Sequence, residues 1–148
     1  MRKGLKKTEV FEGKLVPVVG KHVFGNLYDI DDSILKNLGY LKEVVINAAN
    51  AGNLHIIDIM ERQFNQINSP DIGGVSIIAL ITESHISLHT WPESRYATLD
   101  IYSCGKESNP AITFDYVVSM LKPVSYKVFT ADRSTVSESS ESKVFNDF

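Results

Sequence analysis

The chain has 148 residues, enough for one domain with a substantial core, and its formal net charge is −3. Hydrophobic residues make up 43% and charged residues 22%, which is typical of globular rather than disordered proteins. The small negative charge gives no electrostatic reason to expect nucleic acid or a membrane as a partner. Cys104 is the single cysteine, which excludes an internal disulfide and favours a reducing, cytoplasmic location.

The two ends of the chain differ in composition from its middle. Residues 1–18 mix lysines with scattered apolar residues and show no sustained period, so we expect an N-terminal extension. Residues 134–148 are rich in serine and glutamate, which is typical of a flexible, solvated tail. The remaining residues, 19–133, are predicted to form one folded domain.

In the first half of this domain, three strands and one helix are predicted. Residues 21–30 have the pattern of a strand, and residues 31–50 carry apolar residues at helical spacing. Two further strands are predicted at 54–64 and 75–84. The segment between them, 65–74, is rich in turn-forming residues and is predicted to be a loop.

The second half repeats this scheme. Strands are predicted at 86–91, 95–104 and 125–133, and a helix with one apolar face at 108–122. Most of the predicted strands follow one another directly in the sequence, and only two helices are predicted. This pattern favours an α+β fold, with an antiparallel-rich sheet and two helices on one face. The other face of such a sheet needs burial against another surface, so we expect a homodimer.

One stretch, "LITESHISLHTWPE" (80–93), concentrates side chains that carry chemistry. It follows an apolar run and contains Ser84 and His89, and Cys104 ends the next predicted strand, directly before Gly105. Each residue taken alone fits a structural role, since polar residues at strand ends and buried cysteines are common. Together they lie at strand ends beside loops, where reactive groups are held in place and remain accessible.

Two ordinary chemistries explain these residues poorly. A zinc site could use His85 and His89, but it lacks a third ligand and a CxxC or HExxH motif, so we expect no metal. A hydrolase could use Ser84 or Cys104 with His89, and Asp100 to orient the histidine. However, there is no GxSxG motif, and residues five apart on a strand, such as Ser84 and His89, lie on opposite faces.

A third chemistry follows from a resemblance. "ESHISLHTWPE" (83–93) followed by "YATLDIYSCG" (96–105) resembles the signature of the prokaryotic and archaeal-type pyruvoyl-dependent S-adenosylmethionine decarboxylase proenzymes. The similarity extends to segments 20–29, 73–80 and 126–134. It implies a two-layer α+β sandwich whose sheets pack together in a homodimer, and it identifies the domain 19–133 as a decarboxylase domain.

The resemblance implies that the chain cuts itself at the Glu83–Ser84 bond. The products are a β chain, residues 1–83, and an α chain, residues 84–148. Ser84 becomes a covalent pyruvoyl group, which forms a Schiff base with the amine of a small amino-acid substrate in place of pyridoxal phosphate. No further cofactor and no metal are implied.

Roles for further residues follow from the same resemblance. His89 matches the proton acceptor of the self-processing reaction, and Cys104 matches the proton donor in catalysis. Ser76, Glu93 and Phe64 match substrate-binding positions of the family.

The substrate has two candidates. The motif favours S-adenosylmethionine, whose decarboxylation gives the aminopropyl donor for spermidine synthesis and carbon dioxide. A branch of the same family decarboxylates arginine to agmatine and keeps the same serine, histidine and cysteine. This chain departs from the usual motif at Ser94 and Arg95 and in the loop 64–74, which bears on this choice. A non-catalytic regulatory relative is the remaining alternative.

Overall fold

The computed structural model describes residues 18–135, so nearly all of the predicted N-terminal extension and C-terminal tail lies outside the described residues. No helix in this part of the chain is long and apolar enough to cross a bilayer. The described residues form six strands and three α-helices: β1 (Gly20–Tyr28), α1 (Asp32–Leu35), α2 (Leu38–Ala51), β2 (Ile56–Asn65), β3 (Ile72–Ile81), β4 (Ser84–Trp91), β5 (Tyr96–Cys104), α3 (Pro110–Leu121) and β6 (Ser125–Asp132).

All six strands belong to one sheet, in the order β2-β3-β4-β5-β1-β6, and every neighbouring pair is antiparallel. This confirms the predicted α+β class and the antiparallel sheet. The strands β3, β4 and β5, which carry the sequence signature, lie next to one another near the middle of the sheet.

One face of the sheet is packed against helices, and the other face is open. On the packed face, alternate residues of the strands are buried beneath α2 and α3; the central ones are Ile77, Ala79, Ile86, Leu88, Leu99 and Ile101. On the open face, large apolar side chains remain exposed, among them Met60, Ile72, Ile78 and Leu80. This alternation follows from the two-residue period of a strand.

The helix predicted over residues 31–50 is two helices in the structure, so the described chain has three helices rather than two. The four-residue α1 has Asp31 as its N-cap. A second cap then interrupts the run, because the Asn37 side chain accepts a hydrogen bond from the Tyr40 N–H and starts α2. Asparagine is a strong N-cap residue, and its competition with the backbone ends one helix and begins the next.

The loop predicted over residues 65–74 is shorter in the structure, because β3 already begins at Ile72. Pairing of Ile72 with Asn65 extends the ladder between β2 and β3 past Gly73 and Gly74. A Cβ on Gly74 would lie 2.2 Å from the Thr90 carbonyl oxygen. These glycines therefore permit close strand approach rather than mark a turn.

Candidate active site

A tight turn joins β3 to β4 and contains the candidate cleavage bond. Ile81 and Ser84 are paired, so only Thr82 and Glu83 form the loop between them. Neither loop residue has a positive φ angle. The Glu83–Ser84 peptide bond is therefore the exit of a two-residue hairpin, with the half-buried Ser84 as the first residue of β4.

The main-chain carbonyl of Glu83 is held by the neighbouring strand. Its oxygen accepts a hydrogen bond from the Cys104 N–H at 2.9 Å, at the end of β5. Cys104 is half-buried and directly precedes Gly105. The structure thus brings together three of the residues that the sequence singled out, namely Glu83, Ser84 and Cys104.

The side chain of Glu83 is fixed on the other side of the turn. Its carboxylate contacts the His55 ring Nδ1 at 2.5 Å and accepts hydrogen bonds from the His55 N–H at 3.1 Å and the Thr82 hydroxyl at 2.9 Å. Burial by itself raises the pKa of this carboxyl. The hydrogen bonds from His55 and Thr82 outweigh burial and hold the Glu83 pKa below its ordinary value.

The candidate base lies at the opposite end of β4. His89 is on the open face, where its Nδ1 lies 2.7 Å from the Ser76 hydroxyl of β3. Ser84 is five residues away, which is about 16 Å along a strand, and alternation directs its side chain to the other face. A single copy of the chain therefore does not bring His89 to Ser84.

The three predicted substrate-binding residues do lie together, near His89. Phe64, Ser76 and Glu93 line one cavity of about 340 Å³, together with Trp91. Pro92 breaks the strand, and the 3-10 turn Pro92–Ser94 places Glu93 at the cavity. Aromatic walls and one carboxylate suit a cationic ligand.

The open face carries a further polar cluster between these two ends. The Asp100 carboxylate contacts the His22 ring at 3.0 Å and the His85 ring at 3.3 Å. Both imidazoles also pack near the Tyr102 ring. Within residues 18–135, no group of three or more histidine, cysteine, aspartate or glutamate side chains is arranged to hold a metal ion.

Tyr102 connects this cluster to Cys104. A hydrogen bond with Cys104 raises the pKa of the Tyr102 hydroxyl, and burial raises it further. The Arg133 guanidinium lies 3.9 Å above the centre of the same ring. The Cys104 thiol therefore lies on the same face of β5 as the Tyr102 side chain, two residues earlier on the strand.

Sequence reasoning missed two of these residues. Tyr102 could have been found, because its spacing from Cys104 places both side chains on one face of a strand. His55 could not, since it precedes Glu83 by 28 residues and belongs to no motif.

Comparisons with known proteins point to one family. The family described as S-adenosylmethionine decarboxylase matches residues 21–134. An arginine decarboxylase proenzyme from Pyrobaculum arsenaticum is 46% identical over 118 residues, which are 80% of this chain and 86% of the relative. Another, from Hyperthermus butylicus, is 47% identical over 126 residues, 85% of this chain and 86% of the relative.

A solved structure agrees with these sequence matches. The crystal structure of the adenosylmethionine decarboxylase from Aquifex aeolicus superimposes with a TM-score of 0.71 at 31% identity. The match covers 84% of this chain and 98% of that one. The resemblance identified in the signature is thus confirmed.

The lowered pKa of Glu83 predicts a pH-dependent contribution to stability. Since its folded-state pKa lies below the unfolded value, the ionised carboxylate stabilises the fold above the unfolded value, and this is lost as pH falls through the folded pKa. In an uncleavable Ser84→Ala background, we expect Glu83→Gln to lower the free energy of unfolding by about 1 kcal/mol at pH 7. The difference should shrink as pH falls below the ordinary carboxyl pKa and disappear below the lowered pKa of Glu83.

Urea denaturation at several pH values measures the free energy of unfolding of each variant and how it depends on pH. Glu61→Gln is the matched control, because the Glu61 side chain, paired with Lys42, is more exposed than that of Glu83. It should change stability by roughly a few tenths of a kcal/mol at most. Equal stability of Glu83→Gln and its parent at pH 7 would contradict the assignment.

Proposed function

This chain belongs to the S-adenosylmethionine decarboxylase family, and from that premise we propose that it is a self-processing, pyruvoyl-dependent arginine decarboxylase. The observation that carries the proposal is the Glu83–Ser84 bond in a two-residue turn, with its carbonyl held by the Cys104 N–H. The named sequence relatives are arginine decarboxylase proenzymes. They favour arginine over S-adenosylmethionine, which the sequence motif alone had favoured.

The proposed cleavage starts with an acyl shift. The Ser84 hydroxyl oxygen attacks the Glu83 carbonyl carbon, the peptide C–N bond breaks, and the serine proton passes to the departing amine. Negative charge develops on the Glu83 oxygen during this step. The Cys104 N–H already donates to that oxygen at 2.9 Å, so it supports an oxyanion-stabilising role.

An elimination completes the cleavage. A base removes the Ser84 Cα proton, the Cβ–O bond breaks, and Glu83 leaves as a carboxylate. The elimination leaves a dehydroalanine at position 84, which rearranges to an imine. Water hydrolyses this imine and releases ammonia, and a pyruvoyl group remains at the start of the second fragment. We assign the base to His89 in the tautomer in which Nδ1–H donates to the Ser76 hydroxyl oxygen, because Nε2 is then the nitrogen free to accept the proton.

The pyruvoyl ketone supplies the electron sink that lets the substrate lose carbon dioxide. Cys104 is proposed to return a proton from its thiol to the substrate α-carbon. Its place beside Ser84 at one end of the sheet supports this role. Both reactive groups are held by the hydrogen bond between the turn and β5.

The distance between Ser84 and His89 supports a site shared by two copies. Each copy carries the cleavage bond at one end of β4 and the histidine at the other. A two-fold axis across the open face would place the His89 end of one copy over the main chain of Ser84 in the other, whose Cα proton is the one to be removed. Exposed apolar residues on that face, such as Ile78 and Leu80, provide a surface for this contact.

The cavity beside His89 supports a cationic substrate side chain. The guanidinium of arginine pairs well with a carboxylate and stacks on aromatic rings. The cavity contains both kinds of partner, a carboxylate from Glu93 and aromatic rings from Trp91 and Phe64. S-adenosylmethionine remains the second candidate, because the Aquifex aeolicus relative acts on it by name and its sulfonium and adenine also suit aromatic walls.

The substrate proposal is tested by release of labelled carbon dioxide from arginine and from S-adenosylmethionine in parallel. We expect wild-type protein to run as fragments of 83 and 65 residues and to release carbon dioxide from arginine, giving agmatine. Ser84→Ala should remain intact and inactive, whereas Cys104→Ala should cleave but turn over about a hundredfold or more slowly. Release from S-adenosylmethionine alone would reverse the substrate assignment.

The role of Glu93 is tested by the Glu93→Gln variant. Loss of a charged partner for the guanidinium should raise the KM for arginine about tenfold or more, with a smaller effect on kcat. Glu43→Gln, an exposed position on α2, is the control and should leave both constants unchanged. An unaltered KM in Glu93→Gln would place the guanidinium elsewhere.

The shared site predicts complementation between two inactive variants. His89→Ala retains Ser84, and Ser84→Ala retains His89, so a mixed dimer has one site with both residues. With differently tagged chains expressed together, we expect roughly half of the His89→Ala chains to be cleaved, the share found in mixed dimers on random pairing. Gel analysis of all His89→Ala chains, purified through their own tag alone, measures this fraction.

Each variant expressed alone is the control. Ser84→Ala should stay intact, and His89→Ala should stay largely intact. If the two tags purify together but the His89→Ala chain is cleaved no more than when alone, the shared site is wrong.

A further inference from the structure

His55 lies between two elements that hold its backbone in place. It follows Leu54, which is 1% exposed and whose N–H donates to the Ala49 carbonyl at 2.8 Å. It precedes β2, which begins at Ile56. The backbone of His55 is therefore anchored to the core, whereas its side chain is 65% exposed.

This residue contacts the cleavage turn in several ways. Its carbonyl accepts a hydrogen bond from the Thr82 N–H at 2.9 Å. Its own N–H and its ring Nδ1 both reach the Glu83 carboxylate. Cys104 holds the Glu83 carbonyl from the opposite side. Glu83 is thus held from both neighbouring strands, by its side chain toward β2 and by its main chain toward β5.

The turn needs such support because of its backbone conformation. Two-residue hairpin loops favour turn types with positive φ angles, which match the twist of the flanking strands. Thr82 and Glu83 both have negative φ angles. Contacts outside the turn must therefore hold it closed, and the His55–Glu83 pair provides one.

The charge of the leaving group gives His55 a second effect. Cleavage turns Glu83 into a chain terminus, so that one residue carries two carboxylates. Glu83 has only 14% of its side chain exposed, so solvent screens the pair weakly. The His55 N–H and the Thr82 hydroxyl donate hydrogen bonds to the side-chain carboxylate, which offsets part of this repulsion and favours departure of the new terminal one.

We propose that His55 is a positioning residue for self-cleavage, holding the Glu83 side chain and with it the Glu83–Ser84 peptide bond in the geometry that Ser84 attacks. The inference rests on the proposed self-cleavage and concerns that step alone. It does not concern decarboxylation, because His55 and Glu83 both belong to the first fragment and the pyruvoyl group belongs to the second.

The test compares cleavage rates of full-length chains made by pulse-labelled cell-free translation and sampled over time on denaturing gels. We expect His55→Ala to form the two fragments about threefold or more slowly, a modest effect because the pair is partly exposed to solvent. His55→Asn keeps a donor near the position of Nδ1 and should restore most of the rate. Lys42→Ala, which breaks the ion pair with Glu61, is the matched control and should cleave at the wild-type rate.

A second readout separates positioning from general damage. After complete processing, His55→Ala should decarboxylate with an unchanged kcat per pyruvoyl group, counted by hydrazine labelling. Thr82→Val removes another hydrogen bond to the Glu83 carboxylate and should also slow cleavage, which covers the case in which His55→Ala does not fold.

The outcomes are distinguishable. Wild-type cleavage with an equal rate in His55→Ala would overturn the role of His55 and leave the proposed function intact. An Asn variant as slow as the Ala variant would overturn the hydrogen-bonding explanation. A wild-type chain that never cleaves would overturn the proposed function itself.

Discussion

The hydrogen bond from the Cys104 N–H to the Glu83 carbonyl is the contact on which the candidate chemistry depends. It joins the end of β5 to the turn between β3 and β4. One interaction thereby polarises the carbonyl that Ser84 would attack and fixes the backbone of the thiol that would later donate a proton. The site is therefore a property of three adjacent strands and not of a flexible loop. The buried residues of those strands, such as Ile77, Leu88 and Leu99, keep these strand ends in register.

Strand alternation explains why one chain holds two incomplete clusters. Ser84 and Cys104 lie at one end of the sheet, and Ser76 and His89 lie near the other. The open face between them is unusual in combining exposed apolar side chains with the histidines around Asp100. In a symmetric pair of sheets these polar groups would be buried with their partners already in place, which limits the desolvation cost.

Periodicity predicted every strand and the α+β class, because alternation and helical stripes are properties of neighbouring residues. It missed the break at Asn37, where a side-chain cap overrode a continuous apolar stripe. It also read Gly73 as a turn, although close strand approach explains that residue. The resemblance supplied the candidate site, and alternation already separated Ser84 from His89. His55 was beyond reach, since its contact with Glu83 depends on how α2 leads into β2.

The strand order has a further consequence for the proposed enzyme. β1 belongs to the fragment before Ser84, yet both of its neighbours, β5 and β6, belong to the fragment after it. A cut at this bond therefore leaves two polypeptides interleaved within one sheet. Neither can depart without losing the nine paired positions between β1 and β5 and the eight between β1 and β6. Before the cut, folding is unimolecular; afterwards, recovery from denaturation requires two chains to meet, so it depends on concentration. In the proposed enzyme, a fold that one chain could regain alone would thus become one that persists by kinetic trapping.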